Sequence, residues 1–236
     1  MDYDSVLQLV MKRRSIRNFK PEPIPDEYVE KIIEVARFAP SAANCQPWEF
    51  VVVKEKQLKD EMVDIVKEAS VSTYKIGQTR PPEERHPSDN RVAEHPGFRD
   101  APVFIVLFGD RRLVEALPLS AYLHAGENGL ISSLANTFLY MHLAATSLGL
   151  ASQWVTATAQ PLPQALIKEL LGVPRDYRLY DTMAVGYGVE SPRPRLVRNR
   201  DELIHYDRYD MSRYRTNDQV KKFIRTLHEG RTATRA

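Results

Sequence analysis

The chain has 236 residues, 43% hydrophobic and 27% charged, with 16 Pro, 10 Gly and a single Cys. That composition fits a soluble globular protein with a sizeable core and excludes wholesale disorder, a disulfide framework, a CxxC redox pair and a cysteine-ligated metal centre within one chain. The net charge of +2 is uneven: residues 213–236 carry seven Lys/Arg against two Asp/Glu, leaving 1–212 near −3, a poor electrostatic match for nucleic acid.

Residues 2–13 read as a first helix, with Val6, Leu9 and Val10 on one face. Pro25 and Asp26 open a second, in which Val29, Ile32, Ile33 and Ala36 follow at i, i+3, i+4 and i+7 before Pro40 ends it. The β-branched run EFVVVK (49–54) predicts a strand, and Leu58, Met62, Ile65, Val66 and Ala69 mark a third helix. From about 70 to 100 the periodicity fails. Pro81, Pro82, Pro87 and Pro96 sit among charges in a segment too long for a connector, which reads as a lid-like insertion. Tyr74, Phe98 and the later Tyr122 and His124 are its candidate substrate-facing residues.

PVFIVLF (102–108) predicts a buried strand. The longest helix, 126–148, repeats Ile131, Leu134, Ala135, Phe138, Leu139, His142 and Ala145 at helical spacing, with Gly149 as its cap. A strand at 152–156, a helix at 162–171 closed by Gly172 and a last core strand at 182–188 complete the order. Without strict βαβ alternation, this predicts an α+β fold with a mixed, mostly antiparallel sheet between helices. Residues 1–212 would form the domain and 213–236 a basic tail, a solvated helix with a frayed end. A polar N-terminus and the lack of a spanning-length apolar run predict a cytoplasmic protein with no membrane partner.

Several common sites are absent from the sequence. GYG at 186–188 lacks the third glycine of GxGxxG, no phosphate-binding GxxxxGK[ST] or nucleophile GxSxG occurs, and His86, His95, His124, His142, His205 and His228 form no close ligand pair. No metal site is expected, and His142 reads as a hydrogen-bonded core residue. Three clusters carry chemistry. Arg13, Arg14, Ser15 and Arg17 lie just past a helix end, where they suit either a phosphate clamp or simply the helix C-terminus. The turn PSAANCQPW (40–48) offers amides, a hydroxyl and a Trp to a planar polar ligand, or serves as a capped helix end. Arg193, Arg195, Arg198 and Arg200 follow the last strand, either solvated or converging on the same anion as Arg13 and Arg14.

Together these motifs resemble the FMN-dependent nitroreductase family. RRSIRNF (13–19) is similar to its N-terminal phosphate motif and PSAANCQPW to its PSxxNxQPW turn. LGLASQWVTAT (148–158) is similar to the segment beside the flavin ring, and MAVGYG (183–188), with ELIHYD (202–207), to its ending. The likeness spans roughly residues 3–210. It implies a three-layer fold and an obligate homodimer with FMN at the subunit interface. Arg13, Ser15 and Arg198 or Arg195 would hold the FMN phosphate, and Arg17 would face the N1/O2 edge. Ser41, Ala42 and Asn44 would contact the flavin of the other subunit, Arg14 or Gln46 would serve the same pocket, and Pro40 would be a further cofactor-binding residue. Val155, Thr156, Ala157 and Thr158 would run beside N5.

The implied activity is hydride transfer from NADH or NADPH through the flavin to a small-molecule acceptor, such as a nitroaromatic or quinone, by a ping-pong mechanism. No side chain is implied as a catalytic acid or base, because the cofactor does the chemistry. Where many members have a Gly-rich stretch, this chain has QWVTAT (153–158), which resembles the Thr-rich segment of the iodotyrosine deiodinase branch. Reductive dehalogenation or flavin breakdown is thus an alternative, and a flavin carrier without turnover a third.

Overall fold

Asp2 starts the first helix, its carboxylate accepting the Ser5 amide at 2.8 Å, and α1 runs Tyr3–Lys12. The computed structural model describes residues 2–85, 96–189 and 195–232. The chain divides into two compact units, Met1–Ser72 with Val92–Pro192 and Thr73–Arg91 with Arg193–Ala236.

The first unit is built on a four-stranded sheet: β1 (Trp48–Val53), β2 (Val103–Asp110), β3 (Ala151–Val155) and β4 (Tyr177–Gly186). The order is β1-β2-β4-β3 and every ladder is antiparallel. The mixed, mostly antiparallel sheet expected from sequence is antiparallel in all its ladders among the described residues. Parallel pairing among the described residues is confined to an isolated bridge, Ser15 to Ser152.

Strand β2 is buried along both faces, which is why it reads as one continuous apolar run. Val103, Ile105 and Leu107 join a layer with Val29 and Ile32 of α2 (Asp26–Ala36) and Leu134, Phe138 and Met141 of α6 (Gly126–Ser147). Phe104, Val106 and Phe108 join the opposite layer, with Met62, Val63 and Val66 of α3 (Lys56–Gln78) and Ile167 of α7 (Pro161–Leu170). Helices thus cover both faces of the sheet. Ile105→Val, which removes one methylene from a side chain with no exposed surface, should cost about 1 kcal/mol in a urea melt.

Four expectations are corrected. Helix α3 continues to Gln78, so residues 70–78 are helical; past Ala69 the helix has no buried face for periodicity to reveal. Phe98 is 6% exposed, with its ring centroid 5.8 Å from that of Phe104, and is a core residue rather than a lid residue. The middle of the expected lid, 86–95, lies outside the described residues. In α6 Leu134, Phe138, His142 and Ala145 are buried as expected, but Leu130, Ser133, Thr137, Met141 and Ala144 complete the buried stripe, whereas Ile131 and Leu139 are exposed. Strand β4 begins five residues before the expected 182, because a bulge opposite Leu107/Phe108 interrupts its alternation.

Two short helices, α4 (Arg112–Glu115) and α5 (Leu119–His124), lead into α6, and Tyr122 and His124 are exposed on α5. In the second unit, α8 (Asn217–Thr232) gives the basic tail its helix.

Candidate functional site

The arm at 13–19 leaves α1 through Arg13, whose amide still donates to the Leu9 carbonyl at 3.1 Å. It then docks on the edge strand. Ile16 donates its amide to the Ser152 carbonyl at 3.0 Å, Ser15 bridges Ser152, and Phe19 bridges Gly188. Ile16 and Phe19 point inward and are buried, which leaves Arg13, Arg14 and Ser15 half-buried and Arg17 exposed. Gly97 lets this arm approach closely: a Cβ there would lie 2.1 Å from the Arg17 carbonyl oxygen. Residues 136 and 137 positions apart, Ile16 and Ser15 with Ser152, are thereby joined at the β3 edge of the sheet.

The turn at 40–48 lies at the opposite edge, leading into β1. Ser133 Oγ accepts the Ala42 amide at 3.0 Å, Asn136 Nδ2 donates to the Pro40 carbonyl at 3.2 Å, and Ser41 Oγ accepts the Gln46 amide at 3.0 Å. Ala43, Asn44 and Gln46 have φ of 50°, 53° and 49°. Three non-glycine residues in the left-handed region within four positions store strain, on the order of 1 kcal/mol each. Ala43 and Asn44 are exposed, so the strained stretch presents itself to solvent, as a ligand-facing turn does.

Beyond β3 the chain makes a 3-10 turn, Thr156–Ala159. Thr158 is 1% exposed and donates to the Val155 carbonyl at 2.8 Å, and the Val155 side chain is buried as well. Of the two threonines in the turn, Thr156 is exposed and Thr158 buried. Just before it, Trp154 Nε1 donates to Asp181 Oδ2 at 2.5 Å. Burial raises the Asp181 carboxyl from the ordinary 3.8 to about 6, against the pull of that hydrogen bond.

His142 is a buried core residue with its Nδ1 2.7 Å from Ser152 Oγ. Among the described residues no group of His, Cys, Asp and Glu is arranged to hold a metal ion.

Arg195 and Arg198 belong to the second unit, and Arg193 lies outside the described residues. Arg195 is exposed, whereas Arg198 is held by Glu202 through an ion pair at 3.4 Å and a bond to its carbonyl at 3.3 Å. Arg198 lines a groove of about 480 Å³ with Asp201, Glu202, Arg213, Arg215 and Gln219.

Sequence reading missed Gly97, Ser133 and Asp181. Gly97 and Ser133 carry no local motif. Asp181 does leave a trace, as an acid at the start of the apolar run TMAVG.

The nitroreductase family model matches residues 10–187. The chain belongs to the nitroreductase family. Among its relatives, a protein of Archaeoglobus fulgidus named provisionally as an NADH dehydrogenase/NAD(P)H nitroreductase is 27% identical over 184 residues, 78% of this chain and 86% of the relative. Iodotyrosine deiodinase 1 of Rattus norvegicus is 31% identical over 194 residues, 76% of this chain but only 61% of that protein. The crystal structure of an iodotyrosine deiodinase bound to FMN and 3-iodo-L-tyrosine superposes with a TM-score of 0.68 at 25% identity, covering 86% of this chain and 100% of that one. Nitroreductase-family membership makes this chain a flavoprotein oxidoreductase by class.

Proposed function

We propose that the chain binds FMN and transfers reducing equivalents from NADH or NADPH to a small planar acceptor, a nitroaromatic, quinone or related electrophile, in a ping-pong cycle. The observation that carries this reading is the docking of the 13–19 arm on β3, which sets three arginines and a serine on the strand that leads into the Thr156 turn. The residues present fit the cofactor: cationic donors and a hydroxyl suit a phosphate dianion, and an exposed threonine and backbone N–H groups suit the edge of a flat heterocycle.

When bound, FMN supplies hydride transfer at N5 between nicotinamide and acceptor. Arg13 and Ser15 would hold its phosphate. The fixed charge of Arg17 would lower the cost of negative charge at the N1/O2 edge. Thr156 and the backbone of Val155–Thr158 would serve the N5 side, the Thr158 hydroxyl being committed to its own turn. No side chain is assigned a catalytic proton transfer.

The cradle is completed by a second copy of the chain. The 40–48 turn and the Thr156 turn sit at the same end of the sheet but on its two outer strands, with Val155 in the row of Val51 rather than Trp48, so about 14 Å of strand spacing across the sheet separates them in addition to that offset along it. Pro40, Ser41, Ala42, Asn44 and Gln46 therefore serve the partner's flavin more readily than their own. The uncovered apolar faces support this. Val6, Leu7 and Val10 of α1 are 46, 41 and 42% exposed, and Ile131 and Leu139 of α6 are exposed as well.

A second reading, reductive dehalogenation, is favoured by the exposed Thr156 in a Thr-rich turn and by likeness to the rat deiodinase. Halide release from a haloaromatic, with negligible nitro reduction, would select it.

The phosphate assignment is tested by Arg13→Ala. Losing one charge-assisted clamp should raise the Kd for FMN about tenfold and leave that for riboflavin, which lacks the phosphate, unchanged. Equal affinity for FMN in variant and wild type would remove Arg13 from the phosphate site.

A further inference from the structure

Helix α6 carries a histidine into a layer that is otherwise largely apolar. His142 is 2% exposed; its ring lies 19° from parallel to Trp154, centroids 5.8 Å apart, and meets Phe138 edge-on at 5.0 Å. Nδ1 is 2.7 Å from Ser152 Oγ, while Nε2 is buried with no hydrogen-bond partner among the described residues. Burial, reinforced by the charge of Arg13, pushes its pKa down to about 3, so the ring is neutral at ordinary pH. An apolar side chain would fill this place without an unsatisfied ring nitrogen, so stability alone does not account for a histidine.

Its partner explains it better. The Ser152 hydroxyl meets His142, the Ser152 carbonyl accepts the Ile16 amide at 3.0 Å, and its backbone bridges Ser15. Trp154, stacked on the same imidazole, leads directly into the Thr156 turn. One ring therefore braces β3 where the 13–19 arm lands and where the strand turns toward the site. Arg13, at the start of that arm, is close enough for its charge to act on the ring.

We infer that His142 is a positioning residue for the cofactor phosphate: through Ser152 it fixes the seating of the arm on β3, and with it the aim of Arg13 and Ser15. This rests on the FMN reading above, and the ring is assigned no contact with the cofactor.

The test measures Kd for FMN and for riboflavin, by quenching of flavin fluorescence, in wild type, His142→Leu, His142→Asn, Ser152→Ala and the His142→Leu/Ser152→Ala double variant, each with a circular-dichroism melt. The ratio of the two constants reads the phosphate contribution separately from the ring pocket. The preference for FMN should fall about tenfold in His142→Leu and in Ser152→Ala, and no further in the double variant. His142→Asn places an amide near the Nδ1 position and should restore most of the preference. If His142→Leu does not fold, Ser152→Ala, which removes a single oxygen, decides the matter. An unchanged preference in the folded variants, with both flavins weakened alike, overturns the inference and makes His142 a structural residue. A wild type that binds neither flavin, or binds both equally, overturns the FMN reading and takes this inference with it.

Discussion

Gly97→Ala is expected to destabilise the protein by about 3 kcal/mol and to leave it purified with little flavin. A Cβ at this position would sit 2.1 Å from the Arg17 carbonyl oxygen and 2.5 Å from Asn18 Oδ1. Neither side can easily give way. The arm is pinned by Ile16 to Ser152 at 3.0 Å and by Lys20 to the Tyr187 carbonyl at 2.8 Å. The turn that carries Gly97 is anchored by Phe98 in the core against Phe104. The clash therefore falls on the backbone of the segment proposed to grip the cofactor. Gly126→Ala is the control: nothing lies within 4 Å of its Cβ, and only its φ of +40° is strained, a cost of about 1 kcal/mol. Urea midpoints and the flavin-to-protein absorbance ratio read both effects. Wild-type stability in Gly97→Ala would show that the arm does not pack on this turn.

Asp181→Asn should stabilise the protein increasingly as pH rises from 4 to 7. The Asp181 carboxyl is 7% exposed, and its Oδ1 has no hydrogen-bond partner among the described residues. In the unfolded chain it loses its proton near 3.8, and in the folded one at about 6. Between those values the folded state holds the extra proton, so stability falls as pH rises, by on the order of 3 kcal/mol at pH 7. His142 acts with the opposite sign. Its folded pKa of about 3 lies below the ordinary 6.5, so its contribution is present above 6.5 and lost as pH falls toward 3. The wild-type curve mixes these opposing slopes, and the difference from Asp181→Asn isolates one of them. Asparagine keeps an acceptor for Trp154 Nε1 and does not titrate. A difference that stays flat from pH 4 to 7 would show that the carboxyl is ionised in the fold throughout.

Much of the fold was legible because its elements are buried in simple ways. Strand β2 is enclosed on both faces and reads as an unbroken apolar run; α2 buries Val29, Ile32 and Ala36 on one stripe and reads as an amphipathic helix. Helix α6 misled for a physical reason. Its apolar residues lie on exposed as well as buried faces, and its inward face includes Ser133 and Thr137, whose hydroxyls bond back to the carbonyls of Gly129 and Ser133. Choosing the stripe by hydrophobicity alone therefore rotates the face and places Ile131 and Leu139 inside.

At the site, RRSIRNF and PSAANCQPW stood out as motifs, but what joins the first of them to β3 did not. The bridge from Ser15 to Ser152 and the close approach at Gly97 join residues far apart in the chain, the brace from His142 runs from α6 to the strand ten residues on, and none leaves a local pattern. The left-handed backbone at Ala43 and Gln46 was equally hidden, since neither alanine nor glutamine advertises that conformation.

The most direct measurement is the visible absorbance spectrum of the purified protein, before and after anaerobic addition of NADH or NADPH. The account predicts a yellow protein whose flavin band bleaches with one of the two donors. A colourless protein that also fails to take up added FMN would contradict it.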